Sequence, residues 1–174
     1  STSLKKGVKK INQPQIKVLL DQGVEGDAHI GLEPKRQVSL LAQESVDLML
    51  KELPNLKPGD FAENITTQGL ELHTLPLGSR LRIGPEAVLE VSQIGKTCHH
   101  GCAIKQTTGS CIMPTQGIFG RVIAEGIIKP GDEITLAPGS AETVERTRGL
   151  NVKARGPTPQ SPRSEPGQGC RQTV

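Results

Sequence analysis

The stretch Gly78-Ser-Arg-Leu-Arg-Ile-Gly-Pro-Glu-Ala-Val-Leu-Glu-Val-Ser92 indicates how this chain folds. Apolar and polar side chains alternate on both sides of Gly84-Pro85, a pattern typical of two strands that bury one face of a sheet. Shorter runs predict further strands at 16–20, 37–41, 61–66, 120–124 and 132–136. Residues 43–53 have the apolar spacing of a helix, which Pro54 ends. Short strands with Gly and Pro turns and few helices predict a mainly β fold, a β-barrel.

The composition changes near Pro138-Gly139-Ser140. With 174 residues the chain is long enough for one domain with a sizeable core. Beyond residue 140 the small, polar and Pro residues dominate, which predicts a disordered tail over 141–174 after a domain over 1–140. Residues 1–140 carry 15 Lys/Arg and 15 Asp/Glu, so the net charge of +3 comes from the tail. We read Cys170, in that tail, as an exposed, incidental thiol.

The same composition argues against several classes of partner. The aromatic residues are Phe61 and Phe119 alone, too few for a surface that stacks on bases, and the neutral body lacks the basic face that duplex DNA requires. The lysines near the start (Lys5, Lys6, Lys9 and Lys10) are predicted to form a solvated edge. The sequence shows neither a secretory signal nor an apolar run near the ~18 residues of a membrane span, so we expect a cytoplasmic protein without a nucleic acid or membrane partner.

Three of the four cysteines lie within fourteen residues, in Cys98-His-His-Gly-Cys102 and at Cys111. Cys98 ends the strand-like run from Val88, and Lys96, His99 and His100 beside it favour the thiolate form. One interpretation is a structural zinc site that uses the three cysteines and one histidine, although zinc ligands usually come as two separated pairs. Another interpretation is that the cysteines pack as small apolar side chains, which suits Cys102 and Cys111 because Ala103-Ile104 and Ile112-Met113 follow them. In the third interpretation Cys98 is a functional thiolate.

Five ordered motifs over about 110 residues resemble the MOSC domain, which is named for the C-terminal part of molybdenum cofactor sulfurases. They are Gly26-Asp-Ala-His29, Lys35-Arg-Gln-Val-Ser-Leu-Leu41, Gly59-Asp-Phe-Ala-Glu-Asn-Ile65, Val91-Ser-Gln-Ile-Gly-Lys-Thr-Cys98 and Gly117-Ile-Phe-Gly-Arg-Val122. The variant His99-His100-Gly101-Cys102 is similar to bacterial stand-alone members. One departure is Lys35, where relatives carry a histidine. The resemblance implies a MOSC-type β-barrel.

The resemblance also implies that Cys98 is the family's characteristic cysteine, which in amidoxime-reducing relatives ligates molybdenum and elsewhere is proposed to carry sulfur. The expected function is binding of molybdenum cofactor, or sulfur carriage during cofactor or metal-sulfur cluster maturation. A sulfur donor or a cofactor-biosynthesis protein is the expected partner. The pyridoxal phosphate module of true sulfurases is not expected in a chain of this length. Whether the chain turns over a substrate stays open, and a zinc-stabilised binding domain is the alternative.

Molybdenum cofactor carries a phosphate and a dithiolene, so it requires cations and a soft donor. We assign Lys35, Arg36, Lys96 and Arg121 to the phosphate and Cys98 to the metal. We also expect His29, His99 and His100 to move protons, and Glu63 with Asn64 to orient the ligand by hydrogen bonds. Each has a plainer alternative: a hydrogen bond from His29 to the Gly26-Asp27 turn, capping of the following turn by Glu63-Asn64, and solvated positions for the cations.

Overall fold

The computed structural model of this chain describes residues 1–51, 53–97, 105–106, 109 and 111–136 and the backbone of Val152–Ala154. No helix within these residues is long and apolar enough to cross a membrane. The strands are β1 (Ile16–Leu19), β2 (Gly23–Val24), β3 (Val38–Ala42), β4 (Ile65–Gln68), β5 (Arg80–Ile83), β6 (Ala87–Ile94), β7 (Ile118–Ala124), β8 (Gly126–Ile128), β9 (Glu133–Leu136) and β10 (Val152–Ala154). The helices are α1 (Gln43–Met49), α2 (Met113–Gln116) and a 3-10 turn at Leu72–Thr74.

Seven of these strands close a barrel in the order β10-β4-β3-β7-β6-β5-β9, and β2, β1 and β8 form a separate small sheet. The predicted hairpin around Gly84 is β5–β6, with Ile83 opposite Ala87 and Arg80 opposite Glu90. Gly84 makes this turn at φ +63°, a left-handed conformation that glycine adopts without strain. The prediction of a mainly β barrel with few helices is therefore confirmed.

The central strand β3 is buried on both faces because successive side chains alternate across it. Val38, Leu40 and Ala42 point into the barrel, where they join Leu89 and other apolar side chains of the interior core. On the outer face, Leu41 and Phe119 pack with Val46, Phe61 and Met113, which come from α1, the turn before β4 and α2. Each large apolar side chain buried in this way stabilises the fold by roughly 1.5–3 kcal/mol.

Two elements differ from the sequence-based expectation. The strand predicted at 61–66 begins later, at Ile65, because residues 57–62 turn through left-handed positions at Gly59 (φ +93°) and Ala62 (φ +64°). The predicted helix over 43–53 ends at Met49. The short strands β2 and β8, which the sequence analysis did not predict, exist because both pair with β1.

The segment predicted to be a disordered tail contributes one strand. Val152–Ala154 pairs with β4 on one side and with β9 on the other, so β10 closes the barrel. For these three residues the structure differs from the prediction, because their backbone groups pair with the edges of β4 and β9. The other residues of 141–174 lie outside the described part of the chain.

Candidate functional site

The chain leaves β6 against the loop that contains α2. The N–H of Gly95 donates to the oxygen of Gly117 at 2.7 Å, and the N–H of Lys96 donates to the oxygen of Pro114 at 3.3 Å. A Cβ atom on Gly95 would collide with the oxygen of Pro114, so only glycine permits this approach. These contacts attach Gly95 and Lys96 to the α2 loop. Cys98 follows two positions after Lys96 in the sequence, and Cys98, His99, His100 and Cys102 lie outside the described residues.

A buried polar network centred on Asp27 lies beside the turn that precedes β4. One oxygen of Asp27, Oδ2, pairs with the ammonium of Lys10 and accepts hydrogen bonds from Asn64 Nδ2 and the N–H of Ser3, both at 3.2 Å. The other oxygen, Oδ1, accepts the backbone N–H of His29 and meets its ring Nδ1, both at 3.1 Å. The side chains of Asp27 and Lys10 are each 2% exposed, whereas that of His29 is 40% exposed. The network therefore reaches the surface at His29.

Electrostatics in this network favour a charged Asp27. Burial by itself raises the pKa of the Asp27 carboxyl, but hydrogen bonds from His29 and Lys10 and the charge of Lys10 outweigh it and hold the pKa well below its usual range. Burial lowers the pKa of Lys10, and the charge of Lys96 lowers it further, while Asp27 and Glu63 oppose this.

Asn64 connects the network to β3. Its Oδ1 accepts from the N–H and the hydroxyl of Ser39, at 3.1 and 2.9 Å, and its Nδ2 donates to Asp27 and to the oxygen of Ser1. All four hydrogen-bonding positions of the Asn64 amide are thus used inside the protein. These bonds fix the orientation of the amide and hold Asp27 in place.

Glu63 organises the turn before β4. It is fully buried, and its carboxylate accepts the N–H groups of Gly59 (2.5 Å) and Phe61 (3.1 Å) and the hydroxyl of Thr66 (2.9 Å). Burial raises the pKa of Glu63, against the opposing effect of these hydrogen bonds. Glu63 caps the turn that precedes it, whereas the plainer alternative placed the cap on the turn that follows. Ligand contacts of Glu63 and Asn64 stay a prediction, and in the structure their polar atoms face other parts of the protein.

The four predicted phosphate-binding cations divide into two kinds. Arg36 pairs with Glu33 at 2.7 Å, and Arg121 lies 3.4 Å from Glu90 and 3.8 Å from Asp21, with all of these pairs partly or largely exposed. Lys35 is exposed and Lys96 is half-buried, and neither ammonium forms an ion pair with any residue in the described part of the chain.

The structure brings some of the predicted site residues together. His29 and Asn64 both contact Asp27, and Lys96 acts on the same network through its charge. Lys35 is held near the outer face of β6 and β7, since the hydroxyl of Ser92 shares its hydrogen between the backbone oxygens of Lys35 (2.6 Å) and Phe119 (3.0 Å). The described contacts do not join Arg36 or Arg121 to the network.

Cys111 packs beside the outer apolar cluster and is half-buried, which agrees with its interpretation as a small apolar side chain. Among the residues that the structure describes, no group of three or more His, Cys, Asp and Glu side chains is arranged to hold a metal ion. The zinc interpretation depends on Cys98, Cys102 and the two neighbouring histidines, which lie outside those residues, so it stays a prediction.

Sequence reasoning missed Lys10, the buried cation of the network. The prediction that Lys10 is solvated is wrong, because this side chain is buried against Asp27 and the backbone of Gly59 meets that of Lys10 (N–H of Lys10 to the oxygen of Gly59, 2.8 Å). Nothing in the polar stretch around Lys10 signals its burial. Ser39 could have been noticed, because it is a lone hydroxyl in the apolar run of β3.

The fold is a small β-barrel of short strands, with a buried polar network attached to β3. Residues 27–135 match the family model of the MOSC domain. The chain belongs to the MOSC domain family, as its five motifs predicted. Among curated proteins, no sequence matches it.

Solved structures agree on the fold. The YuaD protein from Bacillus subtilis is 18% identical with a TM-score of 0.64, over 89% of this chain and 93% of that one. YiiM from Geobacillus stearothermophilus is 24% identical with a TM-score of 0.57, over 74% and 64% of the two chains. YiiM from Escherichia coli is 22% identical with a TM-score of 0.57, over 75% and 66%. The chain thus spans about two thirds of the length of the YiiM proteins, and at these identities the likeness concerns the fold.

Proposed function

We propose that this protein binds molybdenum cofactor, or carries sulfur for cofactor or metal-sulfur cluster maturation, through Cys98. The family supports this function, since MOSC domains are associated with molybdenum cofactor sulfurase-like proteins. The observation that carries the proposal is Lys96, a half-buried cation without an ion-pair partner among the described residues, two positions before Cys98. An unpaired cation beside a cysteine favours the thiolate and attracts an anion.

The residues present fit an anionic ligand with a soft metal centre. Lys35 and Lys96 supply uncompensated positive charge for a phosphate, and a thiolate at Cys98 suits molybdenum. Arg36 and Arg121 also fit, because their exposed ion pairs contribute less than about 1 kcal/mol each and are readily exchanged for phosphate contacts. The bound cofactor would supply the metal and its dithiolene; the protein would supply the thiolate, the cations and the hydrogen bonds around them.

Sulfur carriage uses the same thiolate. Cys98 would attack the outer sulfur of a donor persulfide, held by a sulfur-donor protein or a small molecule, and the donor thiolate would leave. The Cys98 persulfide would then pass this sulfur to a nucleophilic acceptor and Cys98 would leave as thiolate. Neither step requires an external oxidant or reductant.

The test compares the native protein with Cys98→Ala, and Cys111→Ala serves as the matched cysteine control. Each protein is purified anaerobically, incubated with molybdenum cofactor, desalted and analysed for molybdenum and zinc. Stoichiometric molybdenum that Cys98→Ala loses and Cys111→Ala keeps would support cofactor ligation. Stoichiometric zinc in the untreated protein would move the cysteine cluster to a structural role.

If neither metal is retained, sulfur carriage is tested by cyanide after incubation with a persulfide donor. Cyanide removes sulfane sulfur as thiocyanate, so the native protein and Cys111→Ala should release it while Cys98→Ala should not. An equal release from all three proteins would contradict any role of Cys98 as the carrier. Binding of the cofactor needs no turnover, so the two experiments distinguish a binding domain from a sulfur-transfer enzyme.

A further inference from the structure

The hydrogen bonds around Asp27 determine which ring nitrogen of His29 carries a proton. Four N–H groups point at the two carboxylate oxygens, those of Lys10, Asn64, Ser3 and the backbone of His29, and the ring Nδ1 of His29 lies 3.1 Å from Oδ1. Such a carboxylate has no room for a proton of its own and is ionised. An ionised carboxylate only accepts hydrogen bonds, so Nδ1 of His29 must bring the hydrogen.

Lys10 provides the positive charge that this buried carboxylate requires. Because the Lys10 side chain is only 2% exposed, it cannot reach a ligand at the surface and acts through Asp27 alone. Asn64 and Ser39 brace the other side of the carboxylate and attach it to β3. Lys10, Asp27 and Asn64 are therefore positioning residues for His29.

We infer that the Lys10–Asp27 pair holds the neutral His29 ring as its Nδ1–H tautomer, so that Nε2 faces the ligand site as a hydrogen-bond acceptor. The side chain of His29 is 40% exposed, so the ring reaches solvent. The matching ligand carries an N–H or O–H donor next to its anionic part. This inference rests on the proposed function for the identity of the ligand, whereas the tautomer rests on the contacts of Asp27 alone.

The tautomer is measured by ¹⁵N NMR of the histidine rings in the intact, ligand-free protein at alkaline pH. His29 is assigned with His29→Gln, and His73, exposed on the 3-10 turn, is the internal control. We expect a protonated Nδ1 and an unprotonated Nε2 at His29, the reverse of the form that free histidine prefers. A protonated Nε2 at His29 in the native protein would overturn the inference.

A double variant tests the cause. Lys10→Met/Asp27→Ala removes both charges of the pair together, so neither member is left buried without its partner. Its His29 ring should return toward the form of free histidine while His73 keeps its signals. Persistence of the pure Nδ1–H form in the folded variant would show that Asp27 does not control the tautomer. If the variant does not fold, the spectrum of the native protein still shows which ring nitrogen of His29 carries the proton.

Addition of molybdenum cofactor tests the role of Nε2. Acceptance of a hydrogen bond should move the Nε2 resonance of His29 upfield and leave His73 unchanged. Retained molybdenum with an unmoved Nε2 resonance would overturn the acceptor role while leaving ligation by Cys98 intact. Failure of the native protein to retain molybdenum would instead refute the proposed cofactor binding and the role of Nε2 as an acceptor for the ligand. The tautomer of His29 would then be tested by the ligand-free spectrum alone.

Discussion

Substitution of one member of the Lys10–Asp27 pair should destabilise the protein far more than a surface ion pair would. Both side chains are 2% exposed. Lys10→Met leaves Asp27 charged and buried, with hydrogen bonds from His29, Asn64 and Ser3 but without a counter-charge. Breaking a buried pair in this way costs about 3–5 kcal/mol.

The remaining hydrogen bonds place Lys10→Met near the lower end of that range, at about 3 kcal/mol. Asp27→Asn leaves the ammonium of Lys10 buried without its partner. Burial already lowers the pKa of Lys10, so we expect the cost of Asp27→Asn to lie at the upper end of that range. The double variant Lys10→Met/Asp27→Asn removes both charges and should cost less than the sum of the single variants. For a domain of this size, 3 kcal/mol lowers Tm by about 6–12 °C.

The assay is urea unfolding of the four proteins followed by circular dichroism. Lys9→Met is the control, because Lys9 pairs with Asp60 at 3.2 Å but is 47% exposed, and its loss should cost less than about 1 kcal/mol. If Lys10→Met and Lys9→Met cost the same, or if the effects of Lys10→Met and Asp27→Asn simply add, the claim of a coupled buried pair is wrong.

Three further predictions concern acid, one turn and one surface arginine. The pKa of Asp27 is depressed in the folded protein, so the stabilisation from its charge is present above about pH 4 and is lost as the pH falls through the folded-state pKa. Urea titrations below pH 5 should therefore show the native protein losing stability relative to Lys10→Met/Asp27→Asn. Parallel dependence of the two stabilities on pH would contradict this. Gly59→Ala should destabilise the protein by more than Gly131→Ala does. At Gly131 the cost is only the backbone strain of a left-handed alanine, about 1–2 kcal/mol. Both glycines have φ near +90°, but a Cβ at Gly59 strikes the oxygen of Lys10 while at Gly131 it meets nothing within 4 Å, so equal Tm values would refute the clash. Arg121→Ala should change Tm by less than about 4 °C, because its ion pairs are exposed, yet lower molybdenum retention if it binds phosphate.

The barrel and the family could be predicted because their signals are local. The alternation across Gly84 predicts the β5–β6 hairpin, and the motif residues are read directly from the chain. The short strands β2, β8 and β10 could not be predicted in the same way. Each has two or three residues and is a strand only through its pairing: β2 pairs with the neighbouring β1, whereas β8 and β10 pair with segments far away in the sequence.

For the site, the sequence by itself determined which chemical groups are present: a cysteine after a strand, with Lys96 beside it, and the Asp27-Ala-His29 segment. Only the tertiary structure decided that Lys10 is buried, that Arg36 and Arg121 pair with surface carboxylates, and that His29 meets Asp27 through Nδ1. Burial and partner choice depend on which segments the barrel brings together. A lysine in a polar stretch has the same local sequence whether water or a carboxylate surrounds its ammonium, and the fold makes that choice.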